Sequence, residues 1–196
     1  MTTILGPLVR VIAACGVALV FLAAPHPVAA QIGIDIYQRY PVADAAARGD
    51  VPRLRGLLSA GQSPNAVDVE GRPAILLAVW GNHAAVVEAL VEAKVRVDER
   101  DKTGTTPLIT AADRGLDRIV ELLIQGKANV NLENRQGITP LIAASAKGHA
   151  QVVTQLLKAG AKLDVQDHSG RTALELAEQN NKRQVIDLLR RAGAKS

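Results

Sequence analysis

One short phrase recurs every 33 residues through most of the chain. Its four copies are Pro73-Ala74-Ile75, Thr106-Pro107-Leu108, Thr139-Pro140-Leu141 and Thr172-Ala173-Leu174. Glycines keep the same spacing and stand two residues ahead of each copy, at Gly71, Gly104, Gly137 and Gly170. Self-similarity at a period of this length is typical of a solenoid, in which one small unit is stacked on the next. The period therefore predicts the architecture before any single helix is assigned.

Each period contains signals for two short helices, and they are clearest between residues 101 and 133. Gly104 allows the left-handed backbone conformation that a tight turn needs. Thr106 then stands at the N-cap and is followed by a proline at the first helical position, where a missing N–H costs nothing. These signals predict one helix from Pro107 to about Arg114 and a second from about Leu116 to Gln125. Their aliphatic residues, at helical spacing, predict a thin core shared with the neighbouring units.

The residues of this period resemble the ankyrin repeat family. The resemblance is carried by Gly104-Thr105-Thr106-Pro107-Leu108, Ala111-Ala112, Gly115, Val120, Leu122-Leu123 and Asn131. It implies an all-α ankyrin repeat solenoid, made of about five helix-turn-helix units with short β-hairpin loops. The repeats are expected at about 35–67, 68–100, 101–133, 134–166 and 167–196, within a domain that spans residues 31–196.

The histidine that usually follows the family's Thr-Pro-Leu phrase is replaced in every copy. The residues at that position are Leu76, Ile109, Ile142 and Glu175. We expect apolar packing to replace the hydrogen bonds that the histidine would make. Glu175 is also predicted to form a capping box with Thr172. With Glu178 it gives the last repeat the polar outer face that a terminal unit needs.

Residues 1–30 have the composition of a secretory signal peptide. Arg10 precedes an apolar run of 14 residues, Val11 to Ala24, which is shorter than the roughly 20 residues needed to span a bilayer. Val28-Ala29-Ala30 places small residues at a cleavage site. We expect cleavage between Ala30 and Gln31, no stable membrane insertion afterwards, and a periplasmic or secreted protein. An uncleaved signal anchor is the alternative.

Charge and composition exclude several classes of function. Arg10 is the only charged residue among residues 1–30, so the rest of the chain carries 22 basic and 19 acidic side chains, a net charge of +3. Aromatic residues make up 2% of the chain, too few for the stacking platforms of proteins that bind single-stranded nucleic acid. The single cysteine, Cys15, lies in the predicted signal, which excludes disulfides and thiol chemistry from the mature chain. We expect no nucleic-acid partner and no cofactor.

The sequence contains no recognisable catalytic or metal-binding motif. It has no Gly-rich phosphate loop, no Gly-x-Ser-x-Gly and no His-Glu-x-x-His. His83 and His149 hold the same position two repeats apart. Units stacked at the usual helix packing distance of about 8–10 Å would place these two imidazoles too far apart to share a metal ion. We therefore expect a non-enzymatic protein without a metal site.

Positions that vary between the repeats predict a binding face. The family resemblance implies that the turn tips and the exposed side of the first helices form a concave surface, represented by the second, fifth, thirteenth and fourteenth positions of each repeat. Six of the sixteen residues at these positions are basic and one is acidic. With Arg48 from the first repeat, the basic residues are Arg48, Arg72, Lys102, Arg114, Arg135, Lys147 and Arg171, called the basic stripe below.

Charge complementarity makes an acidic protein surface the expected partner of the basic stripe. Trp80, the only tryptophan, falls at one of the same exposed positions, where a binding hot spot is expected. Two plainer interpretations stay open: the stripe is ordinary solvated charge, and Trp80 packs in a groove between repeats. An envelope protein that binds anionic lipid headgroups or glycans is the alternative function. We expect the protein to be monomeric.

Overall fold

The computed structural model describes residues 40–195 and contains ten α-helices in that range. The helices are α1 (Pro41–Arg48), α2 (Val51–Ser59), α3 (Ala74–Trp80), α4 (Ala84–Glu92), α5 (Pro107–Asp113), α6 (Asp117–Gln125), α7 (Pro140–Lys147), α8 (Ala150–Lys158), α9 (Ala173–Gln179) and α10 (Arg183–Arg191). The predicted signal peptide, residues 1–30, lies outside the described residues. Each repeat within the described range contributes one pair of consecutive helices.

Threonine side chains begin three of the first helices. The hydroxyl oxygens of Thr106, Thr139 and Thr172 accept hydrogen bonds from the backbone N–H three residues later, at 3.2, 3.3 and 3.2 Å. The helix predicted from Pro107 to about Arg114 is observed as Pro107–Asp113. At α9 the carboxylate of Glu175 accepts the N–H of Thr172 at 2.7 Å, which confirms the predicted capping box. The recurring phrase therefore begins these helices.

The helices form two rows, because every repeat contributes one helix to each row. Helices α1, α3, α5, α7 and α9 pack on one another in chain order, and α2, α4, α6, α8 and α10 do the same. Each first helix also packs on the second helix of its own repeat. The largest fully buried side chains are Leu54, Ile75, Leu76, Leu90, Leu108, Ile119, Leu123, Leu141, Ile142, Leu156, Leu174 and Leu189. This aliphatic core between two helix rows confirms the predicted all-α solenoid.

Apolar side chains occupy the position of the missing histidine. Leu76, Ile109 and Ile142 are buried, with exposed fractions of 0%, 3% and 1%. They lie in the first turns of α3, α5 and α7. Their burial agrees with the expected apolar replacement, and Ile142 belongs to the hydrophobic core.

The turns before the first helices are closed by one side chain rather than by paired strands. An oxygen of that side chain accepts the N–H groups two and four residues later, at 2.8–3.0 Å. The residues are Asp68, Asp101, Asn134 and Asp167. Residues 40–195 contain no strand, and their bridges are isolated, between Val67 and Pro73 and between Gln166 and Thr172. Backbone hydrogen bonds close the same loops, for example from the N–H of Asp68 to the carbonyl of Arg72 and from the N–H of Ala74 to that of Ala66. The implied β-hairpins are therefore present in a minimal form, without a strand in that range.

Two histidines bind carbonyl groups at the end of the first helix of the preceding repeat. Nε2 of His83 lies 3.1 Å from the carbonyl oxygen of Ala47, and Nε2 of His149 lies 3.0 Å from that of Asp113. Because a carbonyl only accepts, Nε2 is the donor in both bonds. The ring also covers the glycine that ends the preceding first helix: a Cβ at Gly49 would lie 2.6 Å from Nδ1 of His83. These histidines therefore connect successive repeats.

The contact between Gly49 and His83 predicts a large stability loss for Gly49→Ala. Gly49 and Gly71 have the same left-handed backbone, φ +75° and +77°, but nothing lies within 4 Å of a Cβ at Gly71. Gly71→Ala should therefore cost only the backbone strain, about 1–2 kcal/mol. Gly49→Ala adds the displacement of the imidazole, about a further 1–3 kcal/mol. Urea denaturation of both variants measures the difference. Equal losses would mean that the ring moves away without cost.

A buried hydroxyl predicts a stabilising substitution in α7. Ser145 is 0% exposed and its Oγ has no hydrogen-bond partner. Alanine occupies the equivalent position, Ala112, one repeat earlier. Ser145→Ala should raise the free energy of unfolding by about 1 kcal/mol, because it removes an unsatisfied polar group. The reciprocal change, Ala112→Ser, should lower it by a similar amount. Thermal denaturation of the two variants tests the pair, and a loss of stability in Ser145→Ala contradicts the explanation.

Candidate binding face

The predicted site residues lie on the turns and at the C-terminal ends of the first helices. The turns carry Arg72, Lys102, Arg135 and Arg171, and the helix ends carry Arg48, Trp80, Arg114 and Lys147. Successive turns are also joined directly, because the backbone N–H of Arg135 donates to the carbonyl of Thr103 at 3.2 Å. The N–H of His168 donates in the same way to Gln136 at 3.0 Å. The basic stripe and Trp80 together are called the candidate face below.

Carboxylates neutralise four members of the basic stripe. The ion pairs are Arg48–Asp44 (2.8 Å), Arg72–Asp68 (2.6 Å), Arg171–Asp167 (2.7 Å) and Lys147–Asp113 (3.9 Å). In three of the pairs the two residues are four apart in the sequence. Asp113 was the one acidic residue counted at the chosen positions, but that count missed Asp44, Asp68 and Asp167, although an aspartate four residues ahead of an arginine is a readable signal. The positive field of the stripe is therefore weaker than its count of basic residues implies.

Arg114 binds backbone rather than solvent. Its Nη1 donates to the carbonyl oxygens of Val79 and Trp80, at 2.9 and 2.6 Å. These carbonyls end α3, and Leu116 stands where the repeats before and after have His83 and His149. Arg114 therefore makes the inter-repeat contact that a histidine makes elsewhere. Its positive charge also suits the negative end of the helix dipole of α3.

Lys102 and Arg135 carry the open charge of the stripe. Both residues are exposed, and within residues 40–195 their side chains form no salt bridge and no hydrogen bond. Burial alone would raise the pKa of Asp101, but hydrogen bonds from Thr103 and Thr105 outweigh it, and the charge of Arg135 adds to the lowering. Lys102 and Arg135 hold the second position of adjacent repeats. They are the members of the stripe that can pair with a partner without first breaking an internal ion pair.

Large apolar side chains are exposed at the turn before α3 and at the end of α3. Val69, Val67 and Trp80 are 67%, 41% and 38% exposed, and they are the large hydrophobic residues that stand out in this way within the described range. The guanidinium of Arg72 lies over the indole of Trp80, with Cζ 5.5 Å from the ring centroid. This is within the distance of a cation–π interaction. Trp80 is therefore held by Arg72 on one side while part of its surface stays in solvent.

A cavity of about 230 Å³ adjoins this apolar patch. It lies between α1 and the turn of the second repeat and is lined by Tyr40, Ala43, Asp44, Ala47, Asp68, Val69, Arg72 and Leu77. Most of its lining is apolar. Both carboxylates at its edge are held in ion pairs, Asp44 with Arg48 and Arg53, and Asp68 with Arg72. Sequence reasoning did not find this cavity, because no motif marks it.

The family model described as "Ankyrin repeats (3 copies)" matches residues 42–134 and 111–196. The chain belongs to the ankyrin repeat family. Ankyrin repeat protein nuc-2 of Neurospora crassa is 37% identical to it over 59 residues, which is 30% of this chain and 6% of nuc-2. Because this ankyrin repeat protein matches so small a part of that relative, the likeness concerns the repeats alone. Ankyrin repeats mediate protein–protein interaction and are typically non-enzymatic.

Other kinds of site find little support in the described part of this ankyrin repeat protein. Within residues 40–195, no three His, Cys, Asp or Glu side chains are grouped as a metal site would require. None of the helices in that range has the length and apolar composition needed to cross a membrane.

Hydrogen bonds lower the pKa values of the aspartates that close the turns. For Asp167 the largest cause is the side-chain hydrogen bond from Arg171, with backbone N–H groups adding to it. Burial opposes ionisation of Asp68 and Asp101, but hydrogen bonds from Arg72 and from Thr103 and its neighbours outweigh it, so both pKa values lie below the ordinary range. A carboxylate that folding makes more acidic stabilises the fold in its charged form.

This ankyrin repeat protein should lose stability in acid as its turn aspartates are protonated. Their stabilising effect is complete above the unfolded pKa, about 4, and is lost as the pH falls through the lower folded values. Asp167→Asn keeps the turn, because Asn134 makes the same backbone hydrogen bonds. The variant loses the ion pair with Arg171, so it should be less stable by about 1 kcal/mol at pH 7. Urea denaturation at pH 7 and pH 2.5 measures this difference, which should be smaller at the lower pH; an unchanged difference contradicts the assignment.

Proposed function

We propose that this ankyrin repeat protein is a non-enzymatic, monomeric binding module of the periplasm that holds an acidic protein partner on the candidate face. The observation that carries the proposal is the pair of open cations, Lys102 and Arg135, on turns that follow the repeat in which Val69 and Trp80 are exposed. Opposite charges steer encounter and set register, whereas a partly exposed tryptophan supplies binding free energy. The face combines both, as partner-binding surfaces do.

The members of the stripe have different roles in this proposal. Lys102 and Arg135 contact carboxylates of the partner directly. Arg72 and Arg171 keep the turns in shape through their aspartates, and Arg114 keeps α3 and α5 together. Arg48 and Lys147 lie at the edges of the face on helix ends. Binding therefore depends more strongly on the two open cations than on the total charge.

The proposed compartment is supported by the sequence of residues 1–30. Arg10, the apolar run from Val11 to Ala24 and the small residues before Gln31 have the order of a cleaved secretory signal. In the periplasm the module would hold or inhibit one exported protein. The N-terminus of the protein isolated from its host, determined by mass spectrometry, tests this part: a chain that begins at Gln31 supports it, and a retained Met1 contradicts it.

A charge reversal at the open cations tests the binding role. Lys102→Glu with Arg135→Glu should reduce capture of an acidic partner from a periplasmic extract by at least about tenfold, because two close charge pairs become repulsive. The matched control is Lys127→Glu with Lys158→Glu. Both lysines are exposed: Lys127 lies just beyond the end of α6, and Lys158 is the last residue of α8. This control changes the net charge by the same amount on the other helix row. Bound proteins are quantified by mass spectrometry.

The outcome is decided by comparing the two double variants. Reduced capture by the first and normal capture by the second supports the candidate face. Equal effects of both would show that only net charge matters, and no effect of either would remove the basic stripe from the binding site. Arg114 is left unchanged in this test because its substitution would release the end of α3.

A second cavity favours the alternative function, an envelope protein that binds anionic lipid headgroups or glycans. This cavity, about 500 Å³, is lined by Arg100 from the second repeat and by Arg135 and Lys162 from the fourth, with Glu133 as the one acidic residue among its lining. Clustered cations of this kind attract anionic surfaces and release them as salt is raised. Sedimentation with anionic vesicles over a salt series tests it. Salt-sensitive binding that is lost in Arg100→Glu with Lys162→Glu supports the alternative, and no binding at low salt excludes it.

A further inference from the structure

We infer that the partner presents an extended acidic segment, with one apolar side chain that fills the 230 Å³ cavity beside Val69 and carboxylates that contact Lys102 and Arg135. This inference rests on the proposed protein-binding role and adds the form, the anchor and the spacing of what is bound. The name anchor cavity is used for that cavity below.

The anchor cavity suits an apolar side chain from an acidic segment. Its walls come from Tyr40, Ala43, Ala47, Val69 and Leu77, and burial of a large aliphatic or aromatic side chain there is favourable. The two carboxylates on its edge are already compensated by arginines. Because the carboxylates of the cavity are already paired with arginines, the cavity does not repel an incoming acidic segment.

Exposed apolar surface continues from the anchor cavity along the face. Val69 lines the cavity and is 67% exposed, and Arg72 lines it while lying over Trp80. Trp80 is 38% exposed. An apolar residue in the cavity would cover Val69 and contact Arg72, which lies over the indole. Central apolar contacts bordered by charge are the usual arrangement of an interface hot spot.

The repeat period sets the spacing of the contacts. Val69, Lys102 and Arg135 hold the second position of three successive turns, so they follow one another along the stack. Repeats stack at about 8–10 Å, and an extended chain with polyproline II geometry advances about 3.1 Å per residue and returns its side chains to the same face every three residues. Three residues of an extended segment therefore match one repeat. An apolar anchor at the cavity places carboxylates three and six residues away next to Lys102 and Arg135.

An extended protein segment explains the features of this surface better than a sugar or lipid headgroup. A sulfated or phosphorylated glycan would pair with the cations but has no large apolar group for the anchor cavity. Val69, Lys102 and Arg135 hold the second position of successive turns, and the turns of Lys102 and Arg135 are joined by the bond from the N–H of Arg135 to Thr103, so a single extended segment can follow them. The apolar cavity at one end and the cations further along then give that segment a register.

Synthetic peptides test the spacing directly. The matching peptide carries leucine and, three and six residues later, glutamates in a Gly/Ser background; the shifted peptide has the same composition with glutamates two and four residues after the leucine. A second pair with the order reversed covers the other chain direction. Binding to the purified chain is measured by anisotropy of labelled peptide and by fluorescence of Trp80. In one direction, the matching peptide should bind at least about fivefold more tightly than the shifted peptide, because only it places both carboxylates at cations.

Protein variants separate the anchor from the charges. Val69→Ser should weaken the matching peptide about tenfold, as expected when burial of an apolar side chain is lost. Lys102→Ala and Arg135→Ala should each weaken it by about tenfold at low salt, whereas the control Lys127→Ala leaves it unchanged. Raising the ionic strength from about 0.1 to about 1 M should reduce the effect of the two cation variants and leave that of Val69→Ser.

Several results would overturn the inference. Equal binding of matching and shifted peptides removes the register, and normal binding to Val69→Ser removes the anchor cavity. No peptide binding at all also overturns it, including the case in which residues ahead of Tyr40 already fill the cavity. If capture of a protein partner still depends on Lys102 and Arg135 in that case, the proposed binding role stands and the partner uses a folded surface instead.

Discussion

Stacking of aliphatic faces between neighbouring repeats is the interaction on which the rest of the structure depends. Each repeat has only two short helices, too few to enclose a core, so its apolar residues are buried by the repeats on either side. Leu108 and Leu141, for example, are 0% and 1% exposed within helices of only seven and eight residues. Stability is therefore shared along the stack, and the outward side of the turns is not needed for it.

Polar side chains add hydrogen bonds to this stack at two kinds of position. One side chain closes each turn from within, as Asp68 and Asn134 do. Another reaches the preceding repeat and binds carbonyls at the end of its first helix, as His83, His149 and Arg114 do. Basic and acidic residues that perform these tasks are not available to a partner. The charge that the face offers to a partner is therefore that of the basic residues without an internal ion pair or hydrogen bond.

The fold could be predicted from the repeat period, whereas most ion pairs and hydrogen bonds of individual side chains could not. The period, the Thr-Pro phrase and the glycines predicted paired helices and an aliphatic core, and the capping box of Thr172 and Glu175 was also readable, because all depend on local sequence. The neutralisation of Arg72 by Asp68 was readable too, four residues apart, but was not used. The role of Arg114 was not readable, because its acceptors are carbonyls about one repeat away that acquire their position only on folding. The anchor cavity could not be read from the sequence either, because it forms only where α1 packs beside the turn of the second repeat.

Hydrogen–deuterium exchange of the chain with and without its captured partner tests the central claim most directly, that binding takes place on the turns and the ends of the first helices. Protection on binding should appear in residues 67–72, 101–105 and 134–138 and around Trp80. The second helices α4, α6 and α8 should exchange as in the free chain. Protection confined to those second helices, with the turns unchanged, would contradict the account.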